Sequence, residues 1–282
     1  MNISPNSALS RETIVTLGSM LAPSAVILGR LRLLMQEPEA DTEEVINLVR
    51  LDPALTFHVI RMSNSILFGV RECHDSLEAA VGRVGFQNIY RLVGLAATKQ
   101  TCQRDLPTYR LKAGRLWESA VATAAASEIF ALPAGIDPGL AYATGLLRSL
   151  GRVVLDAVSC DKVYPGEAEW PLVSDWERAT FGISSTEITA VLLDHWRFPS
   201  ELVDGVRGHH DPFAEPSSNV SACVLNLACG VSARFGLDLP GETAHWQRSE
   251  AKLTLANVTE PMIEECTEKA WTHYLSLCAT IG

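Results

Sequence analysis

The adjacent pair His209-His210 is where metal chemistry would first be sought in this sequence. Neutral imidazoles hold divalent cations, and such cations acidify bound water and offset charge on phosphoryl oxygens. Consecutive residues on a helix point about 100° apart, so the two rings do not easily face one ion. Packing or capping is therefore the reading for both. His74-Asp75 and His210-Asp211 also pair an imidazole with a carboxylate, but Asp75 reads as a helix cap, and Asp194-His195 as the solvated face of an amphipathic helix. The seven cysteines (73, 102, 160, 223, 229, 266 and 278) form an odd set with no C-x-x-C pair and are read as buried thiols. No phosphate-binding Walker loop, G-x-S-x-G elbow or G-x-G-x-x-G loop occurs.

The elements that would position these residues are helical. In 282 residues, 47% hydrophobic, no sustained alternation of β-branched and polar residues occurs, and an all-α fold is expected. Apolar residues recur at three- or four-residue steps over 11–36, with Pro23 dividing the stretch into two helices. Asp41 with Glu44 resembles a capping box, Asp52-Pro53 reads as an N-cap followed by proline at the first helical position, and Asp75 with Glu78 opens a short helix ending near Gly85. The helix begun at Pro53 is expected to reach about Phe68. Helices follow at about 87–101 and 115–130, one continuous apolar helix at 140–157, a loop at 160–171, and helices at about 172–181, 184–197, 199–209, 217–235 and 258–279.

The formal charge of -10 opposes non-specific attraction to nucleic acid or an anionic membrane. No apolar run approaches the roughly 20 residues of a bilayer span, and no export signal is read at the N-terminus, so a cytoplasmic location is expected. Residues 76–97 have the outline of a helix-turn-helix, but Arg83, Arg91 and Lys99 supply little positive charge for DNA.

The stretch 51–85, LDPALTFHVIRMSNSILFGVRECHDSLEAAVGRVG, resembles the N-terminal half of HDOD (HD-related output) domains. The motif positions are Asp52, Pro53, Asn64, Ser65 and Gly85, and the resemblance continues through Trp117, Gly145-Leu146-Leu147, Gly151-Arg152, Phe181-Gly182, Trp196 and His209-His210. It covers about residues 20–213. The resemblance implies an HD-like helical bundle in two halves, 11–106 and 107–213, with 214–282 as a helical extension packing on it. It also implies descent from metal-dependent phosphohydrolases of the HD and HD-GYP type.

Set against that parentage, the metal positions have changed. Where the parents read Leu-Leu-His-Asp-x-Gly, this chain reads Leu146-Leu147-Arg148-Ser149-Leu150-Gly151. A guanidinium carries a permanent positive charge and no acceptor lone pair, so Arg148 cannot ligate a cation. Relatives with Trp-x-His-Ser correspond to Trp117-Glu118-Ser119, and Glu118 is expected to pair with Arg148 in place of the metal. Ser185 stands where a histidine is frequent, and a last aspartate falls near Cys229. The residual metal candidates are His209 and His210. The resemblance implies a non-catalytic bacterial signalling module without cofactor, acting on an unidentified signalling protein, with neither membrane nor nucleic acid as the expected partner. Two alternatives stand beside it: a phosphohydrolase whose metal has moved to Glu118, His209 and His210, and a nucleotide- or anion-binding module using Arg148.

Overall fold

A computed structural model describes residues 9–37, 41–65, 75–159, 161–213 and 219–280. Among these residues there is no strand, and the isolated bridge between Leu106 and Leu111 only closes a tight turn. The all-α expectation is met.

Helices α1 (Arg11–Leu21) and α2 (Pro23–Leu34) are separated at Pro23, as the proline requires, and cross at 94°. Among the described residues no single helix is long and apolar enough to cross a membrane. Helix α3 (Thr42–Arg50) is capped by Asp41, which accepts from the Glu43 N–H. The reciprocal capping box forms instead between Ser184 and Glu187. Asp52 caps α4 (Pro53–Ser63) by accepting from the Leu55 N–H at 3.0 Å, with Pro53 in the first turn. That helix ends at Ser63 with Asn64 as C-cap, short of the expected Phe68, which lies outside the described residues together with His74, Cys73 and Cys160. The cap of α5 (Leu77–Cys102) is Ser76 rather than Asp75: its hydroxyl accepts from the Ala79 N–H at 3.2 Å. Gly85, at φ 77°, kinks α5 at the expected turn, in a conformation that side chains other than glycine's adopt at a cost.

The second half is built on α6 (Arg115–Ala134), α7 (Pro138–Leu147) and α8 (Leu150–Val158). The continuous helix expected over 140–157 is thus two helices, broken at Arg148-Ser149. Periodicity could not expose this break, because buried apolar residues run on through both pieces. Two glycines allow the close approaches around it. A Cβ on Gly145 would meet the Ala124 backbone at 2.8 Å, and one on Gly151 would overlap the Ser185 carbonyl oxygen.

Helices α9 (Val173–Phe181), α10 (Ser185–His195) and α11 (Ser200–Gly208) complete this part. Beyond them, α12 (Val220–Arg234), α13 (Glu250–Leu255) and α14 (Glu260–Ala279) follow. Helices α12 and α14 lie along α6. Ala126 and Phe130 of α6 share a buried apolar cluster with Val224, Ala228, Ile263 and Ala270, while Leu225, Cys229 and Leu277 join the main core. Residues beyond 213 are therefore part of the buried interior. Five cysteines are described; all are free thiols, and Cys102, Cys223, Cys229 and Cys266 are buried.

Candidate functional site: a buried ion triad

Two arginines four residues apart flank the break, Arg148 at the end of α7 and Arg152 in the first turn of α8, and both are buried. Their side chains are 2% and 1% exposed. Buried guanidinium groups need an acid, and both find the same one, Glu242. Arg148 Nη1 donates to Glu242 Oε2 at 2.8 Å and Arg152 Nη2 donates to Oε1 at 2.6 Å. Glu242 sits just past Gly241 (φ 76°), in the loop between α12 and a short 3-10 turn at Thr243–Trp246.

The remaining bonds fix this geometry. Arg148 Nη2 reaches the Ser119 hydroxyl at 3.5 Å, and Arg152 Nη2 also donates to the Pro240 carbonyl at 3.1 Å. The Arg152 guanidinium lies 4.7 Å from the Tyr109 ring centre and that of Arg148 5.7 Å from Trp246, distances at which cations are attracted to ring faces. Burial pushes the Glu242 carboxyl up, but Arg148 and Arg152 outweigh it and hold its pKa at about 2. Two permanent cations thus share the one carboxylate of Glu242.

A second buried acid extends the network. Glu177 accepts from Tyr109 Oη at 2.7 Å and from the Ser185 N–H at 2.7 Å, and burial raises its pKa although Arg152 opposes this. The other wall is aromatic. His209 stacks on Trp246 (5.8 Å, 19°) and His210 on His245 (4.1 Å, 10°). His209 Nδ1 bonds the Val206 carbonyl at 2.7 Å, and the Nε2 atoms of His209, His210 and His245 are buried without partners among the described residues. Burial first, then the Arg148 charge, lowers His209 to about 3; His210 and His245 are also lowered, chiefly by burial. Asn226 of α12 ties this wall together by donating to the carbonyls of His209 (2.8 Å) and His245 (3.1 Å).

The expected Glu118–Arg148 pair does not form. On α6 it is Ser119 that faces inward, fully buried, while the Glu118 side chain is 44% exposed and pairs with Arg115 at 3.6 Å on the same helix. The inward residue is thus Ser119, one step along the helix from Glu118. Ser149 is buried at the break, Ser185 is tied by its backbone to Glu177, and Cys229 is buried within electrostatic reach of Arg148, its thiol pushed to about 12 by burial. The structure thus brings Arg148, Ser119, Ser149, Ser185, His209, His210 and Cys229 to one region and leaves Glu118 outside it. Glu242, Glu177, Tyr109, His245 and Trp246 were not anticipated. Two arginines four apart in an apolar stretch signal a buried acid somewhere, but nothing local marks Glu242 as that acid. Asp194 and His195 are exposed, with Asp194 paired to Arg11 at 2.6 Å.

This architecture defines an HD-related helical bundle whose central cavity is occupied by its own ion pairs. A profile of the HDOD domain matches residues 21–212, and the chain belongs to that family. The match ends before Glu242, so the triad is closed from outside the family segment. A Treponema pallidum protein of uncharacterised role is 25% identical over 238 residues, 79% of this chain and 44% of that protein. A Marinobacter aquaeolei protein provisionally named for signal transduction superposes with TM-score 0.70 at 22% identity, over 93% of this chain and 58% of that one. The chain thus spans about half the length of these two relatives. A Shewanella amazonensis protein provisionally named a phosphohydrolase (TM-score 0.65, 20% identity, 95% and 98% covered) and an HDOD protein of unknown function from Geobacter sulfurreducens (0.62, 19%, 95% and 94%) share the fold over nearly their whole length.

Proposed function

We propose that this chain is a non-catalytic signalling module that works by binding another protein, its parental hydrolase centre converted into a structural ion triad. The observation that carries this reading is the pair of guanidiniums on Glu242. A divalent cation entering there would meet two guanidiniums, and both oxygens of the Glu242 carboxylate are already engaged by charge-assisted bonds. Among the described residues no three histidine, cysteine or acidic side chains are grouped so as to hold a metal. Family membership adds the expectation of an output role. The names of the Marinobacter and Shewanella relatives point in different directions, and the triad favours the signalling one for this chain.

The anion-binding use of Arg148 loses its basis, because that guanidinium is buried and engaged. A hydrolase using Glu118, His209 and His210 is disfavoured by the outward placement of Glu118. The test is hydrolysis of phosphomonoester, phosphodiester and cyclic dinucleotide substrates with manganese, iron or nickel supplied, alongside reciprocal pull-downs from native extract. No metal-dependent turnover, with one protein recovered in both directions of the pull-down, is expected. Turnover abolished by His209→Ala would overturn the reading.

A further inference from the structure

Far from the triad, the outer face of α2 carries a symmetric pattern. Its last turns read Arg30-x-x-Leu33-Leu34-x-x-Glu37, with a base and an acid at equal distance from a central pair of leucines. Residues at i, i+3, i+4 and i+7 share one face of a helix. The chain goes on turning past Leu34, where the Glu37 N–H bonds back to the Leu34 carbonyl at 3.1 Å, and all four residues line one open groove of about 510 Å³ between α2 and α3. Leu48 and Leu51 of α3 form its other apolar side. Leu33 is 38% exposed and Leu51 64%, an uncommon placement for adjacent large apolar side chains.

The charges at the two ends of the pattern are unanswered. Exposed arginines elsewhere, such as Arg11, Arg50 and Arg207, reach carboxylates. Among the described residues neither Arg30 nor Glu37 has an ion pair, and nor has Glu44, the other acid on the groove. A two-fold contact sets residue i of one chain against j of the other, and j against i. With α2 lying antiparallel on its own copy and the axis between Leu33 and Leu34, Arg30 of each chain faces Glu37 of the other, and the leucines meet in the middle. Two bases or two acids at these positions would repel in that arrangement. The groove is therefore complementary to itself, with an apolar centre and a charged rim.

We propose that the α2–α3 groove binds a second copy of this chain, giving a two-fold dimer closed by Arg30–Glu37 pairs around Leu33, Leu34, Leu48 and Leu51. The contact shares no residue with the triad, so its failure leaves the non-catalytic reading untouched. The test is sedimentation equilibrium of the full chain over a range of concentrations. A reversible monomer–dimer equilibrium is expected, weakened roughly tenfold or more by Arg30→Glu and by Glu37→Arg, since each change reverses two symmetry-related pairs. An equimolar mixture of the two variants should regain the dimer, because every pair across the axis is then acid against base. Recovery in the mixture also shows that both variants are folded. A monomer at every concentration, a dimer indifferent to both single changes, or a dimer lost in the singles and not regained in the mixture overturns the proposal.

Discussion

Glu242 answers two guanidiniums at once, so removing it takes the bonded carboxylate from both buried charges, whereas removing either arginine leaves Glu242 one partner. Breaking a buried pair from one side typically costs about 3–5 kcal/mol. Glu242→Gln should fall in that range in urea unfolding, Arg148→Met should cost less, and the double variant Arg148→Met/Glu242→Gln should cost less than the sum of the singles. Glu118→Gln, on a half-exposed i,i+3 pair, should change stability by less than about 0.5 kcal/mol. Equal losses for Glu118→Gln and Glu242→Gln would return Arg148 to its expected partner. Proton linkage gives a second test. The folded pKa of His209 is about 3, and those of His210 and His245 also lie below the ordinary 6.5, so the unfolded chain binds more protons. Their contribution is whole above pH 6.5 and is lost as pH falls toward the folded values, at up to about 1.4 kcal/mol per pH unit for each histidine. Below pH 4.5 Glu242 adds to the loss, which runs on toward its folded pKa of about 2. Urea midpoints from pH 8 to 4 should therefore fall below pH 6.5, and more gently in His210→Asn; a flat profile between pH 7 and 5 would contradict the buried neutral histidines.

The helix break at Arg148-Ser149 aims both arginines inward, and it depends on α8 lying directly against α10. Gly151 is the contact point, since any Cβ there overlaps the Ser185 carbonyl oxygen, whose neighbouring N–H is held by Glu177. Backbone cannot yield as a flexible side chain does, so Gly151→Ala should cost about 3 kcal/mol, at the upper end of ordinary overpacking. Gly82, whose Cβ would meet nothing within 4 Å, is the matched control in thermal melts: Gly82→Ala should be neutral or stabilising. An unchanged melting temperature in Gly151→Ala would mean that the two helices are not so closely set. Much of this level was legible in the sequence. Proline divided α1 from α2, Asp52-Pro53 opened α4, and Gly85 turned α5, because each acts through its own backbone. What escaped was the break inside 138–158, where polarity is continuous, and the phase of α6. One step along a helix turns a side chain by about 100°, and that step decided between Glu118 and Ser119.

At the scale of the molecule, the family segment ends at residue 212, but its central cavity is closed by Glu242, His245 and Trp246 and its longest second-half helix is covered by α12 and α14. This closure could not be read from sequence, because a loop carboxylate some ninety residues from its partners leaves no periodic or local mark. A chain truncated after residue 213 should lose cooperative unfolding and expose apolar surface to dye, because Arg148 and Arg152 would lose their acid and α6 its cover; a cooperative truncated domain would show that the later helices only decorate it. The central claim, that an ion triad stands where the parent enzymes hold metal, is tested most directly by titrating the chelator-treated full chain with manganese while measuring bound metal per chain. The account predicts occupancy well below one ion per chain and an unchanged melting temperature; stoichiometric binding abolished by His209→Ala or His210→Ala would contradict it.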